Sequence, residues 1–358
     1  MRPTYATVRL DMIAANYQLA CRRAPGSQTL PVIKANAYGH GMVAVARRLE
    51  SVAPALGVAM IDEALELREA GIQAPILVMQ GVKQPAEFAV AAAENCWVML
   101  HQSQQVETLL SLQLSTPLHV WIKLDTGMHR LGVAAGEIDD IYRRLGSSAN
   151  VQERPVLCTQ LACADELESP VTDLQVQMIR RCAGQLDLPL SIANSAGILH
   201  WPHSHDAWNR PGIMLYGISP TAAYDWQAEG LQPAMTMWSE IMAVRNVAPG
   251  EGVGYGLDWI AERPSRIGTV AIGYGDGYPR HAPSGTPVLV NGRRVPLTGR
   301  VSMDALSVDL TDIPEVEIGD PVELWGENLP VNEVAAAAGT ISYELLAGLT
   351  ARVPLIHQ

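Results

Sequence analysis

Pro31-Val-Ile-Lys-Ala-Asn-Ala-Tyr-Gly-His-Gly41 joins an apolar run to a lysine, then to a glycine-flanked turn, and an amphipathic stretch follows over Gly41–Glu50. This is the grammar of one β/α unit, and it recurs. Apolar runs at Leu30–Lys34, Ala55–Met60, Pro75–Met79, Cys96–Leu100, His119–Leu124, Pro155–Leu161, Leu190–Ala193 and Gly212–Tyr216 supply eight strands. Between them, Asp62–Ala70, Gln102–Leu112 and Thr172–Leu186 have helical spacing, with Asp62 and Thr172 as expected N-caps. Eight such units predict an α/β fold, a (β/α)8 TIM-type barrel. An open doubly wound sheet is the rival, because repetition alone does not establish closure.

Around Tyr224–Pro233 the texture changes. Short β-type runs punctuated by Gly and Pro follow at Ile241–Val247, Ile267–Gly273, Pro287–Val290, Ala305–Asp309 and Pro321–Trp325, so a mostly β C-terminal domain is expected over 229–358 after a barrel over 1–228. Thr4–Leu10 alternates like a strand but precedes the first helix of the repeat, and is a candidate to pair with the second domain.

The 358 residues carry a net charge of −12, and 48% are hydrophobic against 17% charged, which suits a large buried core. With no dense Lys/Arg stripe, this balance argues against a nucleic-acid or anionic-membrane partner and towards small molecules. Cys21, Cys96, Cys158, Cys163 and Cys182 show neither CxxC pairing nor metal-ligand spacing, so no metal is expected, and they read as reduced thiols. The opening residues contain no signal-like apolar core and no segment approaches membrane-span length, which points to the cytoplasm.

Lys34 is the first candidate for chemistry, since a buried ammonium is costly unless paired or used. Barrel enzymes gather their sites at the carboxyl ends of the strands, often holding phosphate in the last two loops. Here those loops are Asn194-Ser-Ala-Gly197 and Arg210-Pro-Gly-Ile213. Their small residues, backbone N–H groups and the Ser195 hydroxyl suit phosphate oxygens. Trp121-Ile-Lys-Leu-Asp-Thr-Gly-Met-His-Arg-Leu-Gly132 sets Lys123 and Arg130 on either side of a turn, as a network or as a plain Lys123–Asp125 surface pair. Gly252-Val-Gly-Tyr-Gly256 presents Tyr255, whose phenol is a base only if a neighbour lowers its pKa.

The lysine run resembles the pyridoxal 5'-phosphate attachment motif of alanine racemases, in which the lysine forms a Schiff base with the cofactor aldehyde. Further runs resemble the same family in order: Ile272-Gly-Tyr-Gly-Asp-Gly-Tyr-Pro279, Gly299-Arg-Val-Ser-Met-Asp-Ala305 and Ser342-Tyr-Glu344. The resemblance implies an isomerase interconverting L- and D-alanine on a cofactor aldimine. Lys34 would act on the D-enantiomer and Tyr255 on the L-enantiomer, from opposite faces. It places Tyr38, Arg130, Asn194, Ser195, Arg210, Gly212, Ile213, Tyr274 and Tyr343 around the cofactor, and Arg130, Met303 and Asp304 at the substrate. It further implies a carbamylated Lys123, and a head-to-tail homodimer lending Tyr255, Met303 and Asp304 across the interface. An arginine at the ring nitrogen, Arg210, would make the ring a weak electron sink and favour simple proton return.

One position departs from the family. Thr159-Gln160-Leu161-Ala-Cys-Ala-Asp165 has Gln160 where the family has histidine, and glutamine hydrogen-bonds but does not titrate near neutrality. Slower turnover or a shifted pH optimum is expected. Met303 and Tyr343 should restrict the pocket to small side chains, yet a methylene is worth only roughly 1 to 3 kcal/mol, so serine or a broader substrate set is the near alternative. A barrel-type decarboxylase would need an acidic partner for the ring nitrogen, and a cofactor-binding carrier would lack the β domain.

Overall fold

The computed structural model describes residues 3–184, 186–221 and 226–358; Tyr224 and Asp225, within the expected domain junction, and Gln185, in the expected Thr172–Leu186 helix, lie outside them. The first strand, β1 (Tyr5–Val8), belongs to the second sheet. Eight short parallel strands follow: β2 (Gln28–Thr29), β3 (Leu56–Val58), β4 (Ile76–Val78), β5 (Cys96–Leu100), β6 (Leu118–Lys123), β7 (Val151–Cys158), β8 (Leu190–Ser191) and β9 (Trp208–Asn209). They pair in the order β2-β9-β8-β7-β6-β5-β4-β3, and a parallel bridge between Val32 and Gly57 joins the two ends. The sheet therefore closes into the expected barrel. Helices cover its outside while Leu30, Ala55, Leu77, Met99, Trp121, Val156 and Cys158 fill its inside, so strands such as β4 are buried on both faces.

Three expectations are corrected. The eighth strand is Trp208–Asn209 rather than Gly212–Tyr216; Ile213–Tyr216 is a 3₁₀ turn. Pro211 cannot donate to a ladder and Gly212 leaves the extended region at φ −120°, ψ −93°, so the apolar run packs against the helix Leu10–Arg23 instead of pairing. A short apolar run does not by itself distinguish these outcomes. Lys34 stands beyond the paired strand residues, because β2 ends at Thr29 and Pro31 interrupts the ladder before the Val32 bridge. Asp62 and Thr172 lie inside the first turns of helices Ile61–Glu69 and Val171–Ala183, whose N-caps are Met60 and Pro170. At the former, Glu63 reaches back to accept from Ala59 and Met60 N–H.

The C-terminal part is built on β10 (Met235–Val247), a long strand with alternating burial at its start. After the small hairpin β11 (Gly252–Val253) and β12 (Trp259–Ile260) come β13 (Ser265–Val270), β14 (Pro287–Val290), β15 (Arg293–Thr298), β16 (Leu306–Asp309) and β17 (Pro321–Trp325). The order β13-β16-β15-β14-β17-β10, with β13 also paired to β10, makes a second, antiparallel ring. On the edge of β10 lies β1, antiparallel to it and parallel to β18 (Leu355–His357). Helices Val331–Ala338 and Ser342–Ala347 bring this part of the chain to the carboxyl ends of the parallel strands, where Thr340–Tyr343 join the wall of a cavity.

Candidate active site

The cavity at the barrel mouth measures about 560 Å³, and Lys34, Tyr38, Arg130, Gln160, Asn194, Ser195, Arg210, Gly212, Ile213 and Tyr343 line it. Lys34 opens a one-turn helix, Lys34–Tyr38, that is left-handed: φ is 53° at Ala35 and Asn36, 54° at Ala37 and 51° at Tyr38. Such a turn costs about 1–2 kcal/mol per non-glycine residue and persists only where its surroundings hold it. Asn36 Oδ1 accepts from Met42 N–H at 2.8 Å, and Glu63 Oε1 accepts from Ala35 N–H at 2.7 Å. His40, fully buried and stacked on Tyr216 at 4.4 Å, donates Nδ1–H to Tyr38 O at 2.9 Å. Burial pushes the His40 pKa down to about 4, which keeps the ring neutral in this role.

Arg210 is buried at 4% exposure. Its guanidinium donates to Ser191 O and Oγ at 2.9 and 2.6 Å, to Thr159 O at 2.6 Å and, at 3.4 Å, to Gln160 Oε1. These bonds fix a permanent cation beneath the cavity. Burial lowers the Lys34 pKa, assisted by Arg130 and Arg210 and opposed by Glu63. Lys123, also buried, is lowered to about 8, first by burial and then by Arg210, Arg130 and Lys34 against an opposing contribution from Cys158. Asp125 is not its partner: that carboxylate accepts from His129 Nδ1 at 2.8 Å and from the N–H groups of Gly127 and His129. The four cations thus converge on a site suited to an anion.

Ser195 Oγ accepts from the buried N–H groups of Gly212 at 2.9 Å and Met214 at 3.3 Å, so its hydroxyl ties the two expected phosphate loops together and keeps its own proton to donate. Asn194 Oδ1 caps Gly197 N–H at 3.0 Å. A Cβ on Gly212 would fall 2.7 Å from Tyr38 Oη, which explains the glycine. Burial raises the Tyr38 phenol to about 12, leaving it a neutral donor, and raises Tyr343, whose ring lies 6.0 Å from that of Tyr38.

Five expected residues stand outside this cavity: Lys123 is buried behind its wall, and the other four lie on the C-terminal part. Tyr255, Tyr274 and Met303 are 67%, 40% and 53% exposed, and Asp304 pairs with Arg352 on the C-terminal surface. Conversely, residues that sequence reasoning missed contribute. Gln175, buried on the helix Val171–Ala183, donates to Thr126 Oγ1 and Gln160 O and accepts from Ala162 N–H, which sets the Gln160 loop. Glu63, Asn332 and Thr340 belong to no motif, and Met128 and Ser342 lie inside the Trp121–Gly132 and Ser342–Glu344 runs without standing out there; only the fold brings them to the site.

Comparison with known proteins places this geometry. The model of the alanine racemase N-terminal domain matches residues 8–220, and that of the C-terminal domain matches 234–357. The chain is 48% identical over 353 residues to the alanine racemase of Chromohalobacter salexigens, covering 99% of this chain and 97% of that one. The crystal structure of biosynthetic alanine racemase from Pseudomonas aeruginosa superposes with a TM-score of 0.96 at 49% identity over the whole of both chains. That of alanine racemase from Bartonella henselae with covalently bound pyridoxal phosphate gives 0.89 at 28%, again over both chains entire. The chain belongs to the alanine racemase family, pyridoxal phosphate-dependent isomerases that interconvert the enantiomers of alanine.

Proposed function

We propose that this chain racemises alanine with pyridoxal phosphate attached through Lys34, in a homodimer whose second copy supplies Tyr255. The observation that carries the reading is the confluence, at one barrel mouth, of a pKa-lowered lysine, the Ser195–Gly212 cradle and the buried Arg210. The donor set fits the cofactor: a hydroxyl and small loops for a phosphate, cations for its negative charge, and a cavity within the usual range for small-molecule sites.

When bound, pyridoxal phosphate withdraws electrons from the substrate α-carbon. Ser195, Asn194, Gly212, Ile213, Tyr38 and Tyr274 would hold its phosphate and pocket side. Arg210, permanently charged and already hydrogen-bonded to Ser191 and Thr159, would face the ring nitrogen without giving it a proton. Arg130 would orient the substrate, with Met303 and Asp304 of the second copy at its carboxylate end. Lys34, its pKa lowered, presents more neutral amine near pH 7 than a solvated lysine and would move the α-proton on one face. Tyr255 would do so on the other. Its exposure, with that of Met303 and Tyr274, supports a face completed by a second copy.

A carbamate on Lys123 would turn a buried cation into an anion between Arg130 and Arg210. The free thiols favour a reducing cytoplasm, and among the described residues no helix is long and apolar enough to cross a membrane. We place the functional division near residue 228, with the barrel holding the cofactor. The test is to incubate purified protein with L-alanine, measure D-alanine, and map the lysine labelled by borohydride reduction. D-alanine with label on Lys34 is expected; label elsewhere overturns the assignment.

A further inference from the structure

The left-handed turn after Lys34 begins with N–H groups that a single turn cannot satisfy internally, and Ala35 N–H is met by Glu63. Glu63 belongs to neither the turn nor the cavity wall. It projects from the first turn of the helix Ile61–Glu69, and its second oxygen accepts from Ala59 N–H at 2.6 Å and Met60 N–H at 3.1 Å. One carboxylate therefore makes three charge-assisted bonds across two neighbouring barrel loops. The groups that act electrostatically on Lys34 are Arg130, Arg210 and Glu63, with Lys123 behind them, and Glu63 is the anion in that set.

We propose that Glu63 is a positioning residue for the reaction, splinting the left-handed turn so that the Lys34 amine keeps its direction and supplying the negative charge that balances it against the arginines. The far side of the turn is held by other groups. His40 donates to Tyr38 O, His357 donates to His40 O at 2.8 Å, and a Cβ on Gly39 would meet Leu346 O at 2.0 Å. Only the end nearest Lys34 depends on a charged side chain. Losing Glu63 would let that end relax while the rest of the turn stays in place.

This inference rests on Lys34 being the cofactor-bearing amine, and the test separates the two. In cofactor-free protein, competitive acylation of Lys34 with trace acetic anhydride is followed across pH by peptide mass spectrometry, for wild type, Glu63→Gln, Glu63→Ala and the exposed control Glu66→Gln. Glu63→Gln removes the anion but keeps one acceptor, so the Lys34 midpoint should fall by roughly 0.5 to 1 pH unit with little loss of thermal stability. Glu63→Ala should also lower kcat of the loaded enzyme about tenfold with KM nearly unchanged. Glu66→Gln should move neither. If the Glu63→Gln midpoint coincides with wild type, or if kcat of Glu63→Ala is unchanged, the proposal is overturned and Glu63 only caps its own helix. Borohydride label on another lysine sinks the cofactor assignment, while the acylation midpoint still decides the role of Glu63.

Discussion

Replacing Lys123 with methionine tests the electrostatics of the site without reference to any ligand. The side chain is 9% exposed and its pKa stands at about 8, against 10.5 for a solvated lysine. At 1.36 kcal/mol per pH unit, the gap corresponds to roughly 3 kcal/mol by which the folded state disfavours the ammonium. The folded pKa is depressed, so between about 8 and 10.5 the unfolded chain binds more protons and stability rises with pH. Below 8 the penalty is felt in full, and above 10.5 it is gone. Methionine has a similar shape and no charge, so Lys123→Met should stabilise cofactor-free protein at pH 7, by roughly 6 to 12 °C in melting temperature for a unit of barrel size. The difference should shrink towards zero by pH 10.5. Scanning calorimetry in carbon dioxide-free buffer measures both ends, and an equal difference at pH 7 and pH 10.5 would refute the assignment of the penalty to the charge.

The same depressed pKa leaves a neutral amine to react with carbon dioxide, so added bicarbonate should raise the melting temperature of wild type and not of Lys123→Met; equal shifts argue against a carbamate at Lys123. Mixing the inactive variants Lys34→Ala and Tyr255→Phe after dissociation should restore roughly a quarter of wild-type activity, because half the random dimers carry one intact shared site. No recovery would mean that each copy builds its own. Gly212→Ala should weaken pyridoxal phosphate binding at least about tenfold through the contact with Tyr38 Oη, and Tyr38→Phe in the same chain should recover part of it; fluorescence titration distinguishes this from a general loss of fold. Gln160→His should raise turnover or move the pH optimum, and identical pH–rate profiles would show that the titratable ring is dispensable here.

What could be read beforehand follows from how local each signal is. Lys34, Ser195 and Arg210 were legible because a charged or hydroxylic residue just past an apolar run, with a glycine following at Gly39, Gly197 or Gly212, has few packing explanations. Trp208–Asn209 was not, since two paired residues leave no periodicity and the stronger apolar run next to them, Ile213–Tyr216, drew the strand assignment. Tyr255 could be named as a phenol on a flexible turn but not placed, because a ring that is 67% exposed makes few contacts within the chain that would fix where it points.

The least legible feature is the one on which Lys34 depends most directly. Ala35-Asn-Ala-Tyr38 contains no glycine, and its own preferences are right-handed. Its left-handed course is imposed from outside by Glu63, by His40 stacked on Tyr216, whose hydroxyl donates to Val32 O at 3.1 Å, and by a C-terminal strand that ends against His40. These partners lie up to 317 positions away in the chain and each, taken singly, is an ordinary surface or core residue. A lysine that must meet a substrate at one fixed angle gains more from such tertiary constraint than from local propensity, because a turn that formed on its own would need no second domain to hold it. Perturbing the C-terminal strand should therefore alter the amine at Lys34 before it unfolds the barrel. His357→Ala provides the check: a changed Lys34 acylation profile with unchanged barrel circular dichroism is expected, and an unchanged profile would confine the constraint to Glu63 and His40.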